Sequence, residues 1–146
     1  MTDIEWQECL RLMDENEQTV SDWPPTAPDP VAARCRDTRH RTLGHLRACQ
    51  ETWLEACEAF AASPEASLKL LHPWRLFDQK TYRMVSWEDH LSAYRADRVR
   101  WKALLSSSDR KVAGEINGQR HSIESLTRRL VLHERQHLVA LVNGER

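Results

Sequence analysis

Apolar residues recur every three to four positions over four long stretches of this chain, and no stretch alternates cleanly with a period of two. Trp6, Cys9, Leu10 and Met13, with Val20 two turns on, form the first stripe. It follows Thr2-Asp3-Ile4-Glu5, a capping-box sequence, so a helix is predicted from about Asp3 to Val20. The proline-rich run DWPPTAPDP, residues 22–30, ends it and forms a rigid connection. A second stripe reads Thr42, His45, Cys49, Trp53, Ala56 and Phe60. Its helix starts between Val31 and Thr38 and ends near Ser63, before Pro64. Residues 64–85 carry aromatic side chains without a period; they are expected to cross between helices, with room for one short helix. Ser86 is a predicted N-cap, with Glu88 and Asp89 in the first turn of a third helix. Its stripe is Trp87, Leu91, Tyr94, Arg98, Trp101 and Leu105, and it ends at SSSD. A last helix runs from about Ser122 to Val142 on the stripe Ile123, Leu126, Leu130, His133, His137 and Leu141, and Asn143-Gly144 stops it. The expected fold is an all-α four-helix bundle in one domain, residues 1–146.

Size and composition agree with one domain: 146 residues, 40% of them apolar. No run reaches the ~18 apolar residues of a membrane-spanning helix. The first residues, MTDIEWQE, are acidic and lack the layout of a signal peptide, so the expected location is cytoplasmic. A net charge of −1 lends no support to a nucleic-acid partner or a membrane-surface partner. Four cysteines, Cys9, Cys35, Cys49 and Cys57, include no C-x-x-C pair and read mostly as small core residues.

Candidate chemistry sits in the last helix. His133-Glu134-Arg135-Gln136-His137 matches the H-E-x-x-H pattern of zinc peptidases. The metzincin extension requires glycine and histidine where this chain has Ala140 and Asn143. Nine residues follow His137, with Glu145 the acid among them, so no downstream helix supplies a third ligand; a substrate-binding strand is also missing from the pattern. The residues argue against a peptidase. Four residues apart on a helix, His133 and His137 stack on one face. Buried together they need partners, and a shared metal or hydrogen bonds within the core would serve. A third ligand must come from upstream, and His45, on the inward stripe of the second helix, is the best candidate. His40, His72, His90 and His121 read as solvated surface residues.

Other residues have two readings each. Arg98 on an apolar stripe is a clamp for a substrate carboxylate, or an arginine that covers the core and reaches an acid. Glu134 is a base toward metal-activated water, or a solvated or salt-bridged carboxylate. Cys49, one turn after His45, is a soft ligand or reactive thiol, or a buried core cysteine. Arg34, Arg36, Arg39 and Arg41 form a basic run on a solvated face that can also steer an anionic cosubstrate.

RTLGHLRACQETWL followed by LHERQHLVALV resembles the DinB/YfiT-like family of metal-binding four-helix bundles, which places one histidine in its second helix and an H-x-x-x-H pair in its last. SWEDHLSAYRADRVRWKALL is similar to its third helix, and the resemblance extends from the first helix to residue 142. It implies an antiparallel bundle, often a homodimer, holding a divalent metal (zinc, nickel or iron) on His45, His133 and His137. Some members of that family use a low-molecular-weight thiol cosubstrate in transferase or isomerase chemistry. The implied function is metal-dependent chemistry on a small-molecule substrate, with a hydrolase or a non-catalytic metal-binding bundle as alternatives. The long WPPTAPDPVAARCRDTRH connection departs from the family pattern.

Overall fold

The computed structural model describes residues 1–29 and 38–143; residues 31–37 of the window in which the second helix is expected to start, with Arg34, Cys35 and Arg36, lie outside them. Among the described residues are five α-helices and three short strands. Helix α1 spans Asp3–Asp22, α2 Arg39–Ala62, α3 Pro73–Gln79, α4 Trp87–Ser107 and α5 Ile123–Asn143; β1 is Ser67–Leu68, β2 Ala113–Ile116 and β3 Gln119–Ser122.

Local sequence accounts for most boundaries. The Thr2 hydroxyl accepts from the Glu5 amide while the Glu5 carboxylate accepts from the Thr2 amide, completing the expected capping box of α1. Thr38 caps α2, and Ser86 caps α4 by accepting from the Asp89 amide. Within the expected crossing segment lies α3, which starts at Pro73 in the first-turn position that tolerates proline.

The structure is mostly helical, in keeping with the expected all-α class, and a small sheet is added to the helices. Strands run in the order β1-β2-β3, with β1 parallel to β2 and β2 antiparallel to β3. Asn117 (φ 51°) and Gly118 (φ 82°) join β2 to β3 with two left-handed residues, the geometry of a type I′ hairpin turn. The Asn117 side chain then bonds both backbone groups of Leu70, its Oδ1 accepting from the Leu70 amide at 3.1 Å and its Nδ2 donating to the Leu70 carbonyl at 3.2 Å. The hairpin thereby anchors the strand that leads into α3. Gly114 is sterically required: a Cβ there would overlap the Phe60 ring and the Ala66 carbonyl oxygen, so β2 passes directly over the end of α2.

Helix α2 is the central element, packing on α3, α4 and α5, while α1 packs on α5. A main apolar cluster joins Met13 of α1, Trp53 and Phe60 of α2, Trp101 of α4 and Leu126 and Leu130 of α5. A second joins Val20, Leu43, Leu46, Trp87, Tyr94 and Leu138. No helix among the described residues is long and apolar enough to cross a membrane.

Candidate metal centre

The inward face of α5 is rotated from the expected stripe. Glu134 and Leu138 are buried, whereas His133 and His137 are half-buried at the edge of the core. Glu134 faces inward because a partner neutralises it there. The Arg98 guanidinium, fully buried on α4, donates to the Glu134 carboxylate at 2.5 Å and to the Tyr94 hydroxyl at 2.7 Å. Its remaining donors go to Gln50 Oε1 at 2.7 Å and the Met13 carbonyl at 2.9 Å. Tyr94 donates to the same carboxylate at 2.8 Å. Asn16 Nδ2 donates to the Val131 carbonyl at 3.1 Å and reaches the other Glu134 oxygen at 3.4 Å. The two residues considered as anion clamp and general base therefore meet each other instead, and neither is among the residues that line the cavity beside the histidines. The physical reason is mutual neutralisation: each charge supplies what the other needs away from water.

The three candidate metal ligands do come together. His133 Nε2 lies 3.3 Å from His45 Nε2 and 3.0 Å from His137 Nε2. Cys49 Sγ lies 3.6 Å from His45 Nε2. Helical spacing places each pair, His45 with Cys49 and His133 with His137, on adjacent turns. The packing of α2 on α5 brings the pairs face to face. Trp74 of α3 stacks on the His45 ring (centroids 4.4 Å apart, planes 18° apart), and Trp53 meets the His133 ring edge-on at 5.4 Å. These rings hold the imidazoles in place. The sequence pattern already contained Cys49 on the His45 stripe, whereas Trp74 sits in a segment with no period to read.

Burial is the main cause that pushes His45 down to about 3, with its histidine neighbours and Arg41 adding to it. Burial likewise lowers His133 to about 4 and lowers His137. All three are therefore neutral near pH 7, the state in which imidazole binds metals.

Hydrogen-bond accounting supports a cation at this point. A neutral imidazole nitrogen has either one hydrogen or one in-plane lone pair, so His133 Nε2 can satisfy one of its two close nitrogen neighbours. Its Nδ1 is buried with no hydrogen-bond partner. Nitrogen donors at about 2.0–2.1 Å from one ion, at angles between octahedral and tetrahedral, stand about 2.9–3.4 Å from each other, and a sulfur and a nitrogen stand about 3.5 Å apart. The observed separations of 3.0, 3.3 and 3.6 Å match. The His45–Cys49–His133 group can hold a metal ion.

The cluster forms part of the wall of an open cavity of about 740 Å³ between α2, α3, α5 and the hairpin. His72 and His121 also line it, as do Trp53, Trp74 and Arg129. His40 and His90, expected to be solvated, are instead buried. His40 Nε2 lies 2.6 Å from the Val85 carbonyl and His90 Nε2 2.7 Å from the Tyr82 carbonyl, so both serve the turn before α4. Desolvation outweighs its backbone hydrogen bond and lowers His90 to about 4.

Fold and site together define a mostly helical protein with a nitrogen–sulfur donor cluster beside an open cavity. No family model, curated protein or solved structure matches this chain.

Proposed function

We propose that the chain is a metal-dependent enzyme acting on a small molecule, with thiol-dependent transferase or isomerase chemistry of the kind its sequence resemblance implies. The supporting observation is that His133 Nε2 stands 3.3 Å from His45 Nε2 and 3.0 Å from His137 Nε2 at the wall of an open cavity. His45, His133 and His137 would hold a divalent ion such as zinc, nickel or iron. When bound, the ion would supply Lewis acidity that favours the thiolate over the thiol, or activates water for hydrolysis. The chain itself supplies neutral imidazoles and aromatic rings that fix their planes. The pair Arg98–Glu134 serves the site through structure, fixing α5 against α4 one residue from His133.

A second reading, a metal site without turnover, is favoured by Cys49. A fourth protein donor would close the tetrahedron that a catalytic zinc leaves open.

The test is metal analysis of protein purified without a histidine tag. Bound metal is expected at one ion per chain, to fall sharply in His45→Ala, His133→Ala and His137→Ala, and to persist in His72→Ala. Full occupancy in His45→Ala would sink the assignment. The enzyme reading then requires thiol transfer or hydrolysis that chelation abolishes.

A further inference from the structure

The cavity contains a positive group that the metal cluster does not use. Arg129 lies one helical turn before His133 on α5, so both side chains face the same wall. Its guanidinium carbon sits 5.2 Å over the Trp53 ring. Among the described residues it has no carboxylate partner, and the lining of the cavity includes neither aspartate nor glutamate. Arg98 offers a contrast within the same fold, since all its donor nitrogens are taken by Glu134, Tyr94, Gln50 and Met13.

We propose that this cavity takes a small organic anion, with its carboxylate on Arg129 and its apolar, planar part against the Trp53–Trp74 side of the wall. This deepens the enzyme reading by naming its substrate class and rests on that reading only in taking the cavity for a substrate site. The contact with Trp53 uses no N–H group, so the guanidinium keeps donors for the two parallel hydrogen bonds by which arginine meets a carboxylate. The Trp53 contact also restricts the arginine before a ligand arrives, which lowers the entropy lost on binding. No carboxylate in the lining competes with a bound anion for that one charge. Gln119 and Gln136 add amide groups for orientation, and Trp74, Leu71 and Leu132 add apolar surface. A volume of about 740 Å³ suits a ligand of metabolite size.

Benzoate and its neutral near-isostere benzamide are the probes, measured by ligand-observed NMR titration against chelator-treated and zinc-loaded protein. Wild type should prefer benzoate over benzamide by on the order of tenfold in the chelator-treated state, the worth of a charge-assisted hydrogen bond. Arg129→Gln should remove that preference and Arg129→Lys should keep part of it. Arg129 is exposed, so both variants should fold, which circular dichroism checks. A preference unchanged in Arg129→Gln, or absent from wild type, overturns the proposal. A preference that appears only with zinc and ignores Arg129 assigns the anion to the metal and also overturns it, while leaving the metal reading intact. Conversely, a preference that depends on Arg129 in a protein that binds no zinc keeps the anion site and removes the metal.

Discussion

At the scale of single residues, the same side-chain type has opposite roles in different surroundings. Arg98 is sealed in the core by Glu134, whereas Arg129 lies on an aromatic face at a cavity wall. Removing one partner of a buried pair leaves an uncompensated charge. Arg98→Met is expected to cost about 3–5 kcal/mol of folding stability, with Arg98→Met/Glu134→Gln recovering part of the loss. Denaturant titration measures both, and an unaltered midpoint in the single variant would show that Glu134 does not depend on Arg98. Cys49 offers a second test at this scale. Its Sγ stands close enough to His45 to share an ion, so cobalt-loaded wild type should show a near-ultraviolet thiolate-to-cobalt band. Cys49→Ser should lose that band yet keep visible cobalt absorption from the histidines. Wild type with visible bands but no thiolate band would return Cys49 to the core. Both readings of Cys49 were open in the sequence, because a buried thiol and a ligand thiol occupy the same helical position.

At the scale of elements, α5 shows how a helix can carry two faces at once. Glu134 and Leu138 enter the core, and His133 and His137, on the adjoining face, look into the cavity. A periodicity count assigns the histidines to the inward stripe because it scores Glu134 as polar; it cannot know that Arg98 waits across the interface. The β2–β3 hairpin is the converse case. Its Asn117-Gly118 pair is a strong local turn signal, but strands of four residues each are too short and too polar to alternate visibly. The hairpin orders the segment that delivers Trp74 to His45. Gly114→Ala is expected to destabilise the fold by about 1–3 kcal/mol, since the Phe60 ring must give way. Gly118→Ala meets no neighbouring atoms and should cost only about 1 kcal/mol through its positive φ. Thermal denaturation of the two variants checks the order. Equal losses would mean that β2 does not press on α2.

Across the whole molecule, neutral buried histidines couple stability to pH. His45 is held near about 3, and His90 and His133 near about 4, against an ordinary value of 6.5. Below 6.5 the unfolded chain takes up protons that the folded chain refuses, so acid favours unfolding. Stability of the metal-free protein is therefore expected to be full above about pH 6.5 and to decline as pH falls from there toward about 4. Denaturant midpoints measured from about pH 7 down to about pH 5 test this, largely above the range where carboxylates titrate. A flat profile would show that the histidines titrate alike in the folded and unfolded states. A bound divalent ion should raise the midpoint near pH 7 by mass action, and acid should release it as protons compete for the imidazoles.

The sequence by itself determined the four long helices and the adjacency of His133 to His137 and of His45 to Cys49. These are local properties, set by helical period, caps and spacing along a single helix. Tertiary structure decided which face of α5 turned inward, because the cost of burying Glu134 depends on Arg98, a residue of another helix. It also decided that His40 and His90 are buried. Their partners are the Val85 and Tyr82 carbonyls, and carbonyls carry no mark in an amino-acid sequence. The cavity belongs to the same class of property. Arg129 and Trp74 acquire meaning only when α5, α3 and the hairpin converge around a space, and the chain writes no residue for empty volume.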